Sequence, residues 1–175
     1  MNESLNNNPN TLLHPQHEVL GEIELHTISD TERLAGALHG GLPEQASIGL
    51  VGTLGVGKTR LVQAFAEQLG LDAADVTSPT FTMLQQYTGE RQLYHLDAYR
   101  IVDEDEFWEL GVEELFEEPA VVMIEWADRF ASCMPAEMLW LRMRLQEDGV
   151  RRVEISGLAP RWKTMVAELA KPNAS

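Results

Sequence analysis

Apolar and polar positions along this chain follow two different periods, one typical of β-strands and one typical of helices. Segments of the two kinds alternate along the sequence. Short runs that are continuously apolar, or apolar at every second position, predict β-strands over 22–28, 46–51, 82–87, 92–98, 120–124, 138–145 and 150–155. Apolar residues three or four positions apart predict helices that contain Leu34 and Leu38, Leu61 and Phe65, and Trp162 and Val166. The acidic segment 103–110 predicts a further helix. Alternating strands and helices are typical of an α/β domain.

A glycine-rich segment follows the second predicted strand and leads into a predicted helix. Its sequence, Gly52-Thr53-Leu54-Gly55-Val56-Gly57-Lys58-Thr59, fits the pattern G-x-x-x-x-G-K-[ST]. Glycines allow successive backbone N–H groups to point at a polyphosphate, the lysine adds a mobile positive charge, and the threonine hydroxyl suits a magnesium ion. The N-terminus of the following helix adds a partial positive charge. The segment therefore predicts a binding site for a nucleoside triphosphate.

Two acidic residues stand at the ends of predicted strands. Asp97 follows the run 93–96, and Glu125 follows the run 121–124. Open α/β sheets bind their ligands at the carboxyl edge of the strands, where the glycine-rich segment is also expected. Nucleotide hydrolysis requires a held magnesium ion and an oriented water molecule. We therefore expect Asp97 and Glu125 to serve the metal and the attacking water.

Two other residues near these acids have more than one interpretation. Thr80, in Ser78-Pro79-Thr80, either belongs to a switch loop that senses the terminal phosphate or caps a proline turn with its hydroxyl. His95 shares a strand face with Asp97 because side chains alternate along a strand. It either orients Asp97, contacts substrate, or is simply hydrogen-bonded structure.

The composition fits one domain. The chain has 175 residues, 44% of them hydrophobic. We expect a flexible N-terminal extension over 1–21, which is rich in asparagine, a folded domain over 22–170, and a disordered tail over 171–175. No run approaches the roughly 18 apolar residues of a membrane span, and the only cysteine, Cys133, cannot form an internal disulfide. These features predict a cytoplasmic protein without membrane contact.

The charge of the chain argues against direct nucleic-acid binding. Lysine and arginine number 13 against 28 acidic residues, for a formal net charge of -15. Nucleic acids attract proteins mainly by neutralisation of phosphates, so this surface repels them except at local patches. If the function involves RNA, a basic partner is expected to hold the RNA.

Several motifs together resemble one family. They are the segment 52–59, the sequence Ser-Pro-Thr-Phe-Thr at 78–82, His-Leu-Asp-Ala-Tyr-Arg at 95–100, Leu-Gly-Val at 110–112 and Glu-Trp at 125–126. In this order and spacing they closely resemble the TsaE (YjeE) ATPases, over about residues 23–158. The resemblance implies a single-domain P-loop NTPase fold with a mixed, largely parallel central sheet flanked by helices. It also implies an ATPase that supports threonylcarbamoylation of the adenosine beside the anticodon in certain tRNAs, together with TsaD and TsaB.

The resemblance also assigns roles to residues of this chain. It implies that Lys58 and Thr59 bind phosphate and magnesium, that Asp97 and Glu125 serve the metal and the water, and that Thr80 belongs to the switch loop. It further suggests nucleotide contacts near Ile28 and around Arg151 or Arg152. Two positions depart from the family pattern, because Thr53 replaces a usual acidic residue and Arg60 replaces a frequent hydroxyl residue. Arg60 can still offer its backbone N–H to a phosphate.

The residues leave two other function classes open. A P-loop kinase of a small metabolite would have the same phosphate loop, but it needs an arginine-rich lid, and the segment 103–118 is acidic instead. A nucleotide-gated interaction module would bind ATP and switch partners without hydrolysis. Such a module would bind ATP without releasing phosphate. A kinase would consume ATP when a small acceptor is added, rather than when TsaB and TsaD are added.

Overall fold

Seven strands form one open sheet in residues 16–169, the part of the chain that the computed structural model describes. They are β1 (Glu18–Leu25), β2 (Ala46–Val51), β3 (Leu84–Thr88), β4 (Gln92–Asp97), β5 (Ala120–Glu125), β6 (Leu139–Leu145) and β7 (Arg151–Gly157). Their order is β1-β7-β6-β2-β5-β4-β3. The four strands β6, β2, β5 and β4 are parallel, while β3, β7 and β1 pair antiparallel with their neighbours. The predicted α/β class with a mixed sheet is therefore confirmed.

Helices cover both faces of this sheet. They are α1 (Ile28–Gly41), α2 (Lys58–Gln68), α3 (Glu104–Glu109), α4 (Val112–Glu117) and α5 (Ala159–Leu169), with 3₁₀ turns at Ala73–Asp75 and Ala127–Cys133. Residues of α1, α2 and α5 share a hydrophobic core with one face, and residues of α3, α4 and Ala127–Cys133 share a second core with the other face. No helix in residues 16–169 is long and apolar enough to cross a membrane.

The central strands are held by burial on both sides. Every residue of β5 is buried, as its continuous apolar run predicts. On α2, Leu61, Val62 and Phe65 have no exposed surface and lie in the first core. Each such side chain contributes about 1.5–3 kcal/mol through the hydrophobic effect. The end of β2 and the start of α2 are therefore fixed, and the segment between them is held in place.

The sheet begins earlier than the sequence predicts. β1 starts at Glu18, so residues 18–21, expected in the flexible extension, are part of the sheet. They pair with β7, and the register shifts between Val19 and Gly21. This irregularity interrupts the alternation of apolar and polar positions, which hides the start of the strand from a periodicity argument. Residues 1–15 of the predicted extension and the predicted tail 171–175 lie outside the described residues.

The first helix begins at the last residue of the predicted strand over 22–28. Ile28, expected to close the strand over 22–28, is the first residue of α1, and Thr27 is its N-cap. The Thr27 hydroxyl accepts a hydrogen bond from the Asp30 backbone at 3.2 Å, and the Asp30 carboxylate accepts one from the Thr27 backbone at 2.7 Å. This reciprocal arrangement is a capping box. The Thr27 N–H is the main cause that holds the pKa of Asp30 below its ordinary value.

Candidate functional site

The glycine-rich segment forms a loop at the carboxyl end of β2. Gly52, Gly55 and Gly57 have positive φ angles of 151°, 78° and 112°, which favour glycine over residues with a side chain. A Cβ at Gly52 would lie only 2.5 Å from the carbonyl oxygen of Met143, whereas a Cβ at Gly55 would meet nothing within 4 Å. The loop is thus anchored against β6 at its start and open at its tip, as a cradle for a phosphate chain requires.

A cavity of about 250 Å³ lies beside this loop. It is lined by Leu54, Gly55, Gly57, Lys58, Thr59, Arg60, Ser78, Thr80, Asp97, Tyr99, Glu125 and Trp126. Ligand pockets for small molecules usually measure about 300–1,000 Å³. This cavity therefore suits a polyphosphate, with the rest of a nucleotide extending outside it.

Lys58 places a buried positive charge in the cavity. Its Nζ atom donates to the backbone oxygens of Gly52 at 2.6 Å and Thr53 at 3.0 Å. The same atom lies 3.9 Å from the ring centroid of Trp126, a favourable cation–π position. Burial lowers the pKa of Lys58, while the negative charges of Glu125 and other nearby acids oppose the shift. The ammonium is thus buried against neutral groups of its own loop, where an anion could replace them.

Glu125 joins the loop helix to the sheet. It is the last residue of β5, and its Oε1 atom accepts a hydrogen bond from the Thr59 hydroxyl at 2.7 Å. The same oxygen lies 2.8 Å from Nε2 of His95. Of the interpretations given for His95, the one in which it orients Asp97 is wrong, because its Nε2 atom lies against the acid of the neighbouring strand and its Nδ1 atom has no hydrogen-bond partner among the described residues. The contact agrees with the interpretation as hydrogen-bonded structure.

Asp97 holds the loop that contains Ser78 and Thr80. Its Oδ2 atom accepts hydrogen bonds from the Thr80 hydroxyl at 2.9 Å and from the Ser78 hydroxyl at 3.3 Å. Its Oδ1 atom accepts a third from the backbone of Tyr99 at 2.9 Å. Asp97 and Glu125 are direct neighbours in the parallel register of β4 and β5. The structure therefore brings together both predicted acids and the predicted switch threonine at one edge of the sheet.

Arg60 and Ile28 lie to one side of this cluster. Arg60 lines the cavity, and its guanidinium pairs with Glu32 of α1 at 3.1 Å. Ile28, the first residue of α1, is 63% exposed and does not line the cavity. The pair Arg60–Glu32 nevertheless ties α1 to the loop helix near the site.

The two arginines of β7 lie on opposite faces of the sheet. Arg151 donates from Nε to the backbone oxygen of Val56 at 2.8 Å, which places it against the phosphate loop. Arg152 points the other way and pairs with Glu22 at 3.4 Å and Glu24 at 2.9 Å. Of the two, only Arg151 is placed to influence a ligand in the cavity, because alternation along the strand turns its neighbour away.

Trp126, named above only as part of the Glu-Trp motif at 125–126, also lies at the candidate site. It follows Glu125 directly, lines the cavity, and has a left-handed backbone with φ of 59°. A positive φ is unusual for a residue other than glycine and often marks a functional position. Its ring packs against Tyr99 at 5.0 Å between centroids as well as against Lys58. In the sequence, the motif at 125–126 and the position directly after a strand-end acid both mark this residue.

The donor set at the cavity fits a magnesium ion that shares its ligands with phosphate. The candidates are the Thr59 hydroxyl and the carboxylates of Glu125 and Asp97, all of which are oxygen donors. In residues 16–169 no group of three or more histidine, cysteine or acidic side chains forms a metal cluster. Magnesium commonly takes one or two carboxylates together with phosphate oxygens and waters. The residues therefore fit this ion better than one that needs a full protein cage.

A phosphate loop between a central parallel strand and a helix, at the carboxyl edge of an open α/β sheet, defines a protein of the P-loop NTPase type. The family model of threonylcarbamoyl adenosine biosynthesis protein TsaE matches residues 25–153. The chain is 37% identical over 128 residues to the tRNA threonylcarbamoyladenosine biosynthesis protein TsaE of Treponema pallidum, which covers 73% of this chain and 93% of the relative. The protein of that name in Bacillus subtilis is 37% identical over 123 residues, 70% of this chain and 76% of the relative.

A solved structure agrees with these sequence matches. The crystal structure of Bacillus subtilis YdiB superimposes with a TM-score of 0.70 at 26% identity, and the match covers 86% of this chain and 93% of that one. The chain therefore belongs to the TsaE family, whose members take part in the biosynthesis of threonylcarbamoyladenosine in tRNA.

Proposed function

We propose that this protein is a magnesium-dependent ATPase that acts with TsaD and TsaB in the threonylcarbamoylation of tRNA at the adenosine beside the anticodon. The observation that carries the proposal is the convergence of Thr59, Asp97 and Glu125 on the cavity beside the phosphate loop. A site built only to hold a nucleotide needs the loop and its lysine, but not two acids at the same edge of the sheet. Location in the cytoplasm remains a prediction.

The loop and α2 bind the phosphates. Gly57 caps α2 without a side-chain hydrogen bond, so the first N–H groups of the helix remain available to an anion. Lys58 would exchange its hydrogen bonds to two backbone oxygens for bonds to phosphate, which suits a cation whose present hydrogen-bond acceptors are neutral. Arg151 donates a hydrogen bond from Nε to the backbone oxygen of Val56, and in this way it supports the loop from β7.

The acids and the hydroxyl of Thr59 would hold the metal and orient water. Magnesium, when bound, neutralises charge on the phosphates. Thr59 would ligate it after its hydroxyl leaves Glu125, and the freed carboxylate can then accept a hydrogen bond from the attacking water. Asp97 would exchange partners in the same way, because it now accepts hydrogen bonds from Ser78 and Thr80. Engagement of Asp97 by ligand would release these two hydroxyls and alter the loop that carries them.

The charge of the protein supports an indirect role toward tRNA. With a formal net charge of -15, the chain as a whole repels nucleic-acid phosphates except at local patches. TsaD and TsaB would then contact the RNA and carry the transfer chemistry. ATP turnover by this protein would drive or reset them.

Reconstitution with TsaB, TsaD, tRNA and magnesium tests the proposal. We expect phosphate release and modified tRNA with ATP, and loss of both with Lys58→Ala because nucleotide no longer binds. Lys163→Ala is the matched control, since Lys163 is an exposed lysine on α5. Binding of ATP without phosphate release in the full mixture would refute the ATPase and favour a nucleotide-gated module. Phosphate release that depends on a small acceptor, and not on the two partners, would favour a kinase.

A further inference from the structure

A fully buried histidine lies beneath the candidate active site. His95 stands near the end of β4, two residues before Asp97, and has no exposed surface. Its Nε2 atom lies 2.8 Å from Oε1 of Glu125 at the end of β5. Burying a polar ring inside a sheet is unfavourable unless the ring is hydrogen-bonded. The contact with Glu125 supplies a hydrogen bond to this ring, and it also links the ring to an acid of the candidate site.

The direction of this hydrogen bond follows from its partners. Oε1 of Glu125 already accepts the hydroxyl hydrogen of Thr59 at 2.7 Å. Because an ionised carboxylate can only accept, Nε2 of His95 must carry the hydrogen of the second bond. Among the described residues, Nδ1 of His95 is buried without a hydrogen-bond partner. A hydrogen on Nδ1 would be an unpaired buried donor, so the tautomer with hydrogen on Nε2 alone is the one that fits.

We propose that His95 is a positioning residue that holds Glu125 in place during ATP hydrolysis. This inference rests on the function proposed above. If the hydroxyl of Thr59 were to turn to a bound metal ion, Oε1 of Glu125 would lose one of its two side-chain hydrogen bonds. The bond from His95 would remain, and it would fix the carboxylate from inside the sheet. The other carboxylate oxygen is then available to the cavity at a defined place.

The geometry of the ring sets which substitutions test this role. A glutamine side chain can bring an amide N–H close to the position of Nε2, whereas an asparagine side chain reaches only about as far as Nδ1. His95→Gln therefore retains a donor for Glu125, and His95→Asn removes it while keeping a polar residue. His39→Gln is the matched control, because His39 lies at the far end of α1 and pairs with Glu90.

Steady-state ATP hydrolysis with TsaB and TsaD, and ATP affinity with magnesium, are measured for each variant. We expect His95→Asn to lower kcat about 10- to 100-fold, as loss of a supporting hydrogen bond does at metal sites, with little change in nucleotide affinity. His95→Gln should recover most of the lost kcat, and His39→Gln should match the wild type. Wild-type kcat in His95→Asn would overturn the proposal. So would equal losses of kcat, affinity and melting temperature in both His95 variants, which would show a structural role only.

A spectroscopic readout does not depend on turnover. Long-range ¹H–¹⁵N correlation of ¹⁵N-histidine-labelled protein reports which ring nitrogen carries hydrogen. We expect hydrogen on Nε2 of His95, and a changed Nε2 signal in Glu125→Gln but not in the control Glu113→Gln. A ring with hydrogen only on Nδ1 would overturn the proposal. A wild-type protein that releases no phosphate would instead overturn the ATPase, and the spectrum would still show whether His95 holds Glu125.

Discussion

Replacement of Glu125 by glutamine or alanine should separate its structural role from its catalytic role. Its Oε1 atom accepts hydrogen bonds from Thr59 and His95, and the residue is 3% exposed. Glutamine keeps an oxygen in the same place but loses the negative charge. Alanine removes the oxygen as well. The two variants therefore share the loss of the carboxylate and differ in whether the buried donors keep an acceptor.

The expected difference in melting temperature between Glu125→Ala and Glu125→Gln follows from the N–H of His95, which the alanine variant leaves unpaired. In Glu125→Ala the Thr59 hydroxyl can rotate toward the cavity, whereas the buried N–H of His95 loses the acceptor that it has among residues 16–169. A buried donor without a partner costs about 1–3 kcal/mol. In a domain of this size each kcal/mol shifts the melting temperature by about 2–4 °C, so Glu125→Ala should melt about 2–12 °C below Glu125→Gln. Turnover should fall in both variants by about 10²- to 10⁴-fold, the usual contribution of a residue that assists proton transfer.

Thermal unfolding and phosphate release measure the two roles separately. Glu113→Ala is the control, because Glu113 is an exposed acid on α4, and its loss should change stability by no more than about 0.5 kcal/mol. If Glu125→Ala and Glu125→Gln melt at the same temperature, the hydrogen bond from His95 does not contribute as argued. If Glu125→Gln hydrolyses ATP at the wild-type rate, Glu125 has no catalytic role.

Three other experiments test separate parts of the fold. Gly52→Ala should destabilise the protein by about 2–6 kcal/mol because its methyl group meets a β6 carbonyl at an unfavourable φ, whereas Gly40→Ala on α1 should stabilise it by up to about 1 kcal/mol; equal melting temperatures would contradict this. Thr80→Val removes a donor to Asp97, so hydrogen exchange in the loop before β3 should rise about tenfold, and unchanged exchange would show that the bond does not hold the loop. The pKa of Asp30 lies below its ordinary value of 3.8, so its stabilising effect is present above that pH and is lost as the pH falls through the lowered pKa. Asp30→Asn should therefore be less stable than the wild type at pH 6, and the gap in melting temperature should narrow progressively as the pH falls below 3.8; a gap independent of pH would refute this cause.

The sequence pattern predicts the parts of the fold that depend on local periodicity. The predicted strands over 46–51 and 120–124 lie within β2 and β5, and the predicted faces of the strand over 92–98 agree with the two cores. Asp97 and Glu125 meet because the carboxyl ends of parallel strands share one edge, which is a topological rule. These features need no knowledge of distant contacts.

Features that depend on contacts across the sheet could not be predicted in this way. His95 lies opposite Met123 in the register of β4 and β5, yet the long side chain of Glu125 reaches it from two residues further along. The sequence shows only that His95 and Asp97 share a face. Their actual partners depend on side-chain length and on the helix packed above them.

Helix α4 shows another feature that the sequence pattern could not predict. Gly111 predicts the end of the acidic helix, and α3 does end before it. With φ of 72°, however, Gly111 turns the chain so that a second helix begins at Val112, whose side chain is buried in the second core. The same glycine signal is compatible with a loop or with a new helix. Tertiary burial of an apolar residue decides between them.

The groups of the site that would hold a ligand now hold one another. Lys58 donates to its own loop, Thr59 donates to Glu125, and Thr80 donates to Asp97. A buried charge or hydroxyl left without a partner would destabilise the protein, so these internal bonds make the site stable without nucleotide. On the proposed function, binding of a metal–nucleotide would replace these bonds, and its affinity would be the difference between two sets of bonds. Because the replaced bonds would include the one from Thr80 to Asp97, nucleotide binding would be energetically coupled to the loop that carries Thr80. The proposed control of partners by ATP requires such a coupling.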